Sequence, residues 1–320
     1  MKRILVLSTL MTVGMLFPAA AGVRSPTQGS RIPPQGPRIV KMRTLRPGDI
    51  LYVLLGGGGN TLALMREDGV VVIDTKLPGW GRPILDAIQA ATEKPVTMII
   101  NTDAHADRTG GNAEFPAVTE IVAHERTKAH MQQMDAFKGS NARFLPNRTV
   151  AGKKTTLFDG PDRIDLYYFG AGHTDGDLVV VFPEKRIAYF GDLFPSKSAP
   201  FIDTANGGSG VAFPKTLASA AAEITGVNQV VTGHEEGLVT QRDPSAVSVD
   251  ITTPRTMRWS DVQDYADFNR DFLAAVQEAR QAGKSADEAA ATLRLPEKYK
   301  GYDMQRAKAN VEAIYSELRK

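Results

Sequence analysis

The sequence predicts an α+β fold in which two β-sheets are sandwiched between helices and a helical extension follows. Short apolar runs with the alternation or continuity of strands recur from residue 50 to residue 232. Stretches with helical periodicity separate groups of these runs. After residue 253 the composition changes, and only helix-like segments follow. This order of elements is typical of two sheets that pack face to face between layers of helices.

The first half of the chain supplies strands and two helices. Strands are predicted at 50–55, 61–65, 70–75, 96–100 and 120–123, and helices at 82–91 and 125–134. The tip between the first two strands, residues 56–60, contains four consecutive glycines, which favour a mobile hairpin. This tip is either a simple tight turn or a flap over a pocket.

The second half continues with strands and ends in helices. Residues 135–152 are expected to be irregular. Strands are predicted at 155–158, 164–169, 178–182, 186–190 and 229–232, and helices at 215–224, 257–281, 285–293 and 302–318. The strand at 229–232 is expected to be the last one. A long polar loop, residues 192–210, ends in glycine-rich turn chemistry.

The N-terminal residues have the order of a secretory signal peptide. Lys2 and Arg3 precede an apolar run that is short for a membrane span, and small residues follow it. We expect cleavage near Ala21 and a periplasmic or secreted protein, with a retained membrane anchor as the alternative. The predicted organisation is a signal peptide at 1–21, an extended leader at 22–45, a main domain at 46–253 and a helical extension at 254–320.

The composition excludes several classes of function. A formal net charge of +2 and the lack of a tract rich in lysine and arginine give no basis for nucleic-acid binding. The chain contains no cysteine, which excludes disulfides, thiolate metal ligands and a cysteine nucleophile.

The loop at 101–112, with the sequence NTDAHADRTGGN, carries three metal-capable side chains. It follows the predicted strand 96–100, so it lies at the carboxyl end of that strand. Asp103, His105 and Asp107 alternate, and residues two apart in an extended segment project to the same side. The loop therefore predicts a pocket for a cation; the alternative is a polar turn that precedes a helix.

Three further candidate ligands follow predicted strands in the same way. His173 lies in GAGHTDGD, Asp192 in YFGDLF and His234 in VVTGHEE, each with glycine beside it. The other two histidines, His124 and His130, lack this context and are expected on the surface in or beside a helix. Four strand ends that present ligands in this order indicate a shared metal site.

These motifs resemble the metallo-β-lactamase superfamily of metallohydrolases over residues 50 to 235. The resemblance rests on the central loop with its trailing TGGN, the GHT motif at His173, the GDLF motif at Asp192 and the TGH motif at His234. It implies a four-layer αββα sandwich with the metal site at one edge of the sheets. It also implies hydrolysis of a small-molecule ester, amide, lactam or thioester by a metal-bound hydroxide.

Carried over position by position, the resemblance gives two ligand groups. The first is Asp103, His105 and His173, and the second is Asp107, Asp192 and His234. Asp107 would also orient the hydroxide. One or two zinc ions are implied, and the share of carboxylate oxygen also suits Mn²⁺ or Fe²⁺.

The sequence departs from the family pattern at two positions. Asp103 stands in place of a histidine, and we expect this shorter side chain to need a water or a backbone shift to reach a metal. Arg108 stands in place of the last histidine and cannot ligate, because a guanidinium stays protonated. Some lactamases of the family also have a non-ligand there, so Arg108 is expected to orient Asp107 or Asp192 instead.

Two other readings stay open. The departures at Asp103 and Arg108 also suit a relative that has lost its metals and acts as a binding or scaffold protein, and a redox use of the metal centre is a third alternative. Lys197 is either a solvated lysine or a ligand of a substrate carboxylate. Asp175 and Asp177 are favoured as hairpin residues over contacts of the ligands. No nucleic acid and, after signal cleavage, no membrane is expected as a partner; the sequence does not define an oligomeric state.

Overall fold

Thirteen strands in two sheets form the centre of the described part of the protein. The computed structural model describes residues 38–117, 119–234 and 256–319. The strands are β1 Lys41–Thr44, β2 Leu51–Leu55, β3 Thr61–Arg66, β4 Gly69–Ile73, β5 Val96–Asn101, β6 Glu120–His124, β7 Arg148–Val150, β8 Lys154–Leu157, β9 Ile164–Tyr167, β10 Val179–Phe182, β11 Ile187–Tyr189, β12 Gln229–Val231 and β13 Met257–Arg258.

Seven α-helices cover the sheets within the same described residues. They are α1 Gly81–Gln89, α2 Ala106–Thr109, α3 Glu125–Gln133, α4 Phe213–Glu223, α5 Trp259–Gln281, α6 Ala286–Thr292 and α7 Ala307–Glu317. Short 3-10 turns join several of these elements. Among the described residues, no helix combines the length and apolar character needed to cross a bilayer.

The first sheet contains β1 to β7 in chain order. Strands β1 to β4 pair antiparallel, and β4 to β7 pair parallel. The second sheet has the order β13-β12-β11-β10-β9-β8. Its strands pair antiparallel except β11 and β12, which are parallel.

The alternation of side chains along the strands divides the core into three layers. In β4, Val71 and Ile73 face the second sheet, whereas Val70 and Val72 face the helices outside the first sheet. In β10, Val180 joins the layer between the sheets. Because a strand exposes successive residues on opposite faces, both sheets bury apolar side chains on both sides. The predicted αββα sandwich is confirmed.

The C-terminal extension forms the helical layer on the outside of the second sheet. Buried side chains of α5 and α7, including Phe268, Phe272 and Ile314, join one core cluster with Val181 of β10 and Leu217 of α4. The extension is therefore part of the core of the protein and covers a face of the second sheet.

Three short strands differ from the sequence-based expectation. Strand β1 lies inside the range predicted as leader, where it pairs with β2 at the edge of the first sheet. Strand β7 lies inside the range expected to be irregular, and β13 follows the strand expected to be the last. The predicted signal peptide and the leader up to residue 37 lie outside the described residues, as do residues 235–255, where the predicted main domain ends.

Hydrogen bonds hold the glycine-rich tip, residues 56–60, in place. Lys76 is buried, and its Nζ donates to the carbonyl oxygens of Leu54 and Gly59, at 2.7 Å each. The backbone N–H of Asn60 donates to the carbonyl of Gly233 at 2.8 Å. These bonds hold the end of the tip at Gly59 and Asn60, next to the segment that follows β12.

Candidate metal centre

The candidate ligands lie at one edge of the two sheets. The central loop follows β5, and Asp192 and His234 follow β11 and β12. His173 lies in the loop after β9, which runs in the same direction as β11 because β10 is antiparallel to both. The carboxyl ends of these strands therefore meet at the same edge, as the sequence predicts.

The first ligand group is buried. Asp103 and His173 are almost fully buried, and His105 is partly exposed. One candidate ligand atom from each of the three residues lies within 4.8 Å of the others. Oδ1 of Asp103 accepts a hydrogen bond from the backbone N–H of His105 at 2.8 Å and lies 3.0 Å from Nδ1 of His105. The carboxylate of Asp103 therefore lies inside the group, beside His105.

Carboxylates outside the group hold both of its imidazoles. Nε2 of His105 lies 2.9 Å from Oδ2 of Asp203, and Nδ1 of His173 lies 3.0 Å from Oδ1 of Asp177. A carboxylate at the outer nitrogen of a ligating histidine fixes its tautomer and ring orientation. Asp177 is thus a contact of His173, contrary to its favoured reading as a hairpin residue.

Asp203 is a residue of the site that the sequence did not indicate. It lies in the middle of the long loop after β11, without the strand-end context of the other candidates. Its own carboxylate accepts from the backbone N–H of Ala205 and from the side chain of Asn206. Burial raises the pKa of Asp203, but the bonds from Asn206 and His105 lower it below the ordinary value, so a negative charge faces His105.

The second ligand group is more exposed. Asp107, Asp192 and His234 are all partly exposed, and one ligand atom of each lies within 4.8 Å of the others. Nε2 of His234 is 3.1 Å from Oδ1 of Asp192 and 3.3 Å from Oδ2 of Asp107. Oδ2 of Asp192 is 3.7 Å from Nε2 of His173, so the two groups adjoin each other through Asp192.

A buried arginine stands among the carboxylates of both groups. Arg108 is fully buried, and its Nη2 donates to Asp192 in a short hydrogen bond. Its Nη1 donates to the carbonyl of Gly233 at 2.9 Å. The guanidinium also lies 3.7 Å from an oxygen of Asp107 and 3.7 Å from one of Asp103. Arg108 therefore pairs with Asp192, as the sequence predicts.

The same arginine faces a fourth carboxylate, at the end of β4. Asp74 is buried and accepts hydrogen bonds from the backbone and hydroxyl of Thr102 and from the hydroxyl of Tyr189. Its Oδ2 lies 3.9 Å from Nε of Arg108. Burial raises the pKa of Asp74 to about 7, although Arg108 opposes this shift. One guanidinium thus lies within 4 Å of four carboxyl groups, so acidic groups outnumber the arginine around it.

The nearby carboxylates raise the pKa values of both histidines of the first group. Burial lowers the pKa of His105, but the hydrogen bond and charge of Asp103 outweigh it and raise the pKa to about 9. For His173, burial is outweighed by Asp177, and the pKa is again raised to about 9. The surrounding carboxylates thus favour a positive charge at this place.

Both groups fit a divalent cation. Donor atoms at about 2.1 Å from a tetrahedral zinc ion lie about 3.4 Å apart. The separation of 3.0 Å between Asp103 and His105 in the first group, and those of 3.1 and 3.3 Å in the second, lie within a few tenths of an ångström of this value. Nε2 of His173 is buried and has no hydrogen-bond partner among the described residues, as expected of a nitrogen that binds a cation.

The remaining histidines lie outside both groups. His130 pairs with Asp175 at 2.7 Å and is partly exposed. His124 is buried rather than on the surface: its Nδ1 accepts from the backbone N–H of Arg126, and its ring stacks on Tyr168. It caps α3 instead of lying on an outer face.

A four-layer αββα sandwich with imidazoles and carboxylates gathered at one sheet edge defines a class of metal-site proteins. The family model of the metallo-beta-lactamase superfamily matches residues 54–239, and the chain belongs to this superfamily. This confirms the resemblance that the motifs predict.

Curated relatives match parts of the chain. The alpha subunit of 2,4-dinitroanisole O-demethylase from Nocardioides sp. (strain JS1661) is 32% identical over 145 residues, which cover 44% of this chain and 43% of that protein. The metallo-beta-lactamase type 2 of Bacillus cereus is 25% identical over 181 residues, which cover 55% of this chain and 67% of the lactamase. The chain thus spans less than half the length of the first relative.

Solved structures share the fold. A metallo-beta-lactamase from Pontibacter korlensis aligns with a TM-score of 0.57 and 18% identity, over 72% of this chain and 99% of that one. The stereoselective inverting sec-alkylsulfatase Pisa1 from Pseudomonas sp. aligns with a TM-score of 0.66 and 14% identity, over 87% of this chain and 50% of that one.

Proposed function

We propose that this protein is an exported, metal-dependent hydrolase that cleaves an ester, amide, lactam or thioester bond in a small molecule. Members of the superfamily are mostly metal-dependent hydrolases. The observation that carries the proposal is the unpartnered Nε2 of His173, which lies buried between the two ligand groups, 3.7 Å from Asp192. Zinc is the proposed metal, with Mn²⁺ or Fe²⁺ as alternatives.

In this proposal Asp103, His105 and His173 hold the first cation, and Asp107, Asp192 and His234 hold the second. A divalent cation held there would supply Lewis acidity, which can lower the pKa of a water from about 15.7 to about 7 and polarise a scissile carbonyl. Both groups use only nitrogen and oxygen donors, which suits these three metals.

The residues of this chain divide the remaining tasks. Asp107 is partly exposed at the open side of the second group, where its carboxylate orients the attacking water. Asp203 and Asp177 keep the two imidazoles of the first group in the ligating orientation. Arg108 holds Asp192 from the buried side and stays protonated throughout, because neighbouring carboxylates keep its pKa well above the usual value even though burial opposes this.

Export is proposed from residues 1–21, whose charged, apolar and small-residue order is that of a signal peptide. The expected mature protein begins near Gly22. The intact mass of protein recovered from the periplasm or the medium tests this; a species in the membrane fraction that retains the N-terminal residues would reject export in soluble form.

The contact between Arg108 and Asp192 favours one second candidate, a relative without metals that acts as a binding or scaffold protein. In that case the guanidinium alone would neutralise a carboxylate that ligates in the enzyme. The two candidates differ in metal content, which a single preparation of the protein can decide.

The test is reconstitution of the chelated protein with Zn²⁺, Mn²⁺ or Fe²⁺, followed by metal analysis and turnover. The substrate panel should contain an ester, an amide, a lactam and a thioester, and also an aryl methyl ether in view of the O-demethylase relative. His173→Ala should lose the first metal and turnover, while His130→Ala, the matched control outside both groups, keeps both. Wild-type protein that holds no metal would support the non-catalytic relative.

A further inference from the structure

The mouth of the first ligand group is bordered by an exposed phenyl ring. Phe201 is 42% exposed and is one of two exposed large hydrophobic side chains among the described residues. Its ring centroid lies 5.8 Å from that of His105 and 5.7 Å from that of His173. Phe201 is therefore an exposed apolar surface directly beside both histidines.

The C-terminal extension places a positive charge on this ring. Arg306 is exposed, and its Cζ lies 5.4 Å from the centre of the Phe201 ring. Within the described ranges, no carboxylate lies within ion-pair distance of Arg306. A guanidinium that stacks on an aromatic ring keeps its N–H donors free for an oxyanion, which it binds in a bidentate manner.

The backbone fixes the position of Arg306 relative to Phe201. The N–H of Ala199 donates to the carbonyl of Asp303 at 2.7 Å, and the N–H of Asp303 donates to the carbonyl of Lys197 at 3.0 Å. These two bonds join the segment just before Phe201 to the segment just before Arg306. The ring and the guanidinium therefore lie on two segments that the backbone joins, and together they form a rim beside the first ligand group.

The other cations near the mouth are committed elsewhere. Nζ of Lys197, the sequence-based candidate for a substrate carboxylate, pairs with Asp261 at 3.3 Å. Arg108 is buried beneath the ligand groups and donates to Asp192. Arg306 is thus an exposed rim cation that has no ion pair within the described part of the chain.

We propose that Phe201 and Arg306 form a subsite for a substrate that carries a carboxylate beside an apolar or aromatic group. The phenyl ring covers the apolar part, and the guanidinium binds the carboxylate at a distance from the ligand groups. This subsite deepens the proposed hydrolase function and rests on it, because it determines which small molecules present a scissile bond to the site.

The test compares phenylacetate with phenylacetamide on the zinc-reconstituted full chain at low ionic strength, by calorimetry. Arg306→Gln should weaken phenylacetate binding roughly two- to fivefold, since an exposed ion pair is lost, and leave phenylacetamide unchanged. Added salt should reduce the preference of the wild type for phenylacetate. Lys300→Gln, an exposed change in the same extension, is the matched control and should alter neither ligand.

Metal analysis of each variant separates the two proposals. If the wild type holds zinc and both variants bind phenylacetate as it does, the subsite is rejected and the hydrolase proposal stands. Equal losses for phenylacetate and phenylacetamide in Arg306→Gln also reject the subsite. Wild-type protein without metal rejects the proposed function, while a loss specific to phenylacetate, measured on that metal-free chain, would still support the rim subsite.

Discussion

The two ligand groups adjoin each other at one sheet edge, yet their side chains are held in different ways. The first group is nearly buried, and carboxylates from outside, Asp203 and Asp177, hold its imidazoles. The second group is open to solvent, and Asp192 is held by the buried guanidinium of Arg108. Hydrogen bonds to its histidines thus orient the first group, whereas in the second group the positive charge of Arg108 compensates the negative charge of Asp192.

This difference predicts different behaviour toward metals. Orientation by carboxylates lowers the reorganisation that binding requires, so the first group should bind its cation more tightly. In the second group Arg108 competes with a cation for Asp192, so this cation should exchange more readily. The following experiments test this contrast, beginning with the largest expected effect.

Arg108→Met should destabilise the metal-free protein by about 3–5 kcal/mol at neutral pH, because it leaves buried carboxylates without their cation. Burial raises the pKa of Asp192, but Arg108 and His234 lower it well below the ordinary value. An acid with a depressed folded-state pKa stabilises the fold above the unfolded value near 3.8 and loses this contribution as pH falls through the folded value. The penalty should therefore shrink toward acid pH.

Urea unfolding of wild type and Arg108→Met at several pH values measures this penalty. Zinc should restore part of the lost stability, since a cation replaces the missing charge. A penalty below about 1 kcal/mol at pH 7 would show that the carboxylates do not depend on Arg108.

Asp192→Asn should remove the second metal and leave the first. Loss of the carboxylate between His234 and Arg108 should weaken the second group at least about 100-fold, or about 2.7 kcal/mol. Metal titration followed by elemental analysis counts the ions. Loss of both metals, or of neither, would contradict the separation of the two groups.

Gly59→Ala should affect the second group through Arg108. A Cβ at residue 59 would overlap Nη1 of Arg108 and contact Oδ2 of Asp107 at 3.2 Å. Overpacking of this kind costs about 1–3 kcal/mol and should displace the guanidinium from Asp192. Gly152→Ala is the control, because the nearest atom to the new Cβ would be the carbonyl oxygen of Lys154, 4.0 Å away. Unfolding midpoints and second-metal affinity that match the control would refute the effect.

Asp203→Asn should weaken the first metal about tenfold without unfolding the protein. The amide cannot hold His105 in its ligating orientation as the carboxylate does. Asp175→Asn is the matched control, since Asp175 pairs with His130 and Arg126 outside both groups. Competition with a chelator of known affinity measures the change. If the affinity for the second metal fell and that for the first metal did not change, Asp203 would support the second group and this prediction would be wrong.

Sequence reasoning predicts those parts of the site that local pattern determines. The six candidate ligands follow strands, and the strand order brings them to one edge. Asp203 escapes this reasoning because 98 residues separate it from His105 and no local motif marks it. Lys76 escapes it as well, because nothing in the sequence indicates that a lysine is buried to pin the glycine-rich tip.

The same limit applies to the fold. The bounds of β5 and α5 are predicted within a residue or two, whereas α7 begins five residues after its predicted start at 302. Strands β7 and β13 contain three and two residues, too few for a periodic pattern. Their pairing depends on neighbours in the sheet, which the local sequence does not reveal.

The loop that carries Asp203 is also joined to the last described helix. Oε2 of Glu317 accepts from the hydroxyl of Ser209 at 2.5 Å, and Oε1 accepts from the backbone N–H of Gly210 at 2.7 Å. More than a hundred residues of chain separate these partners. During synthesis, the loop therefore lacks this support until helix α7 has left the ribosome. Because α7 follows every described strand in the chain, the loop gains this support only after all of those strands have been synthesised.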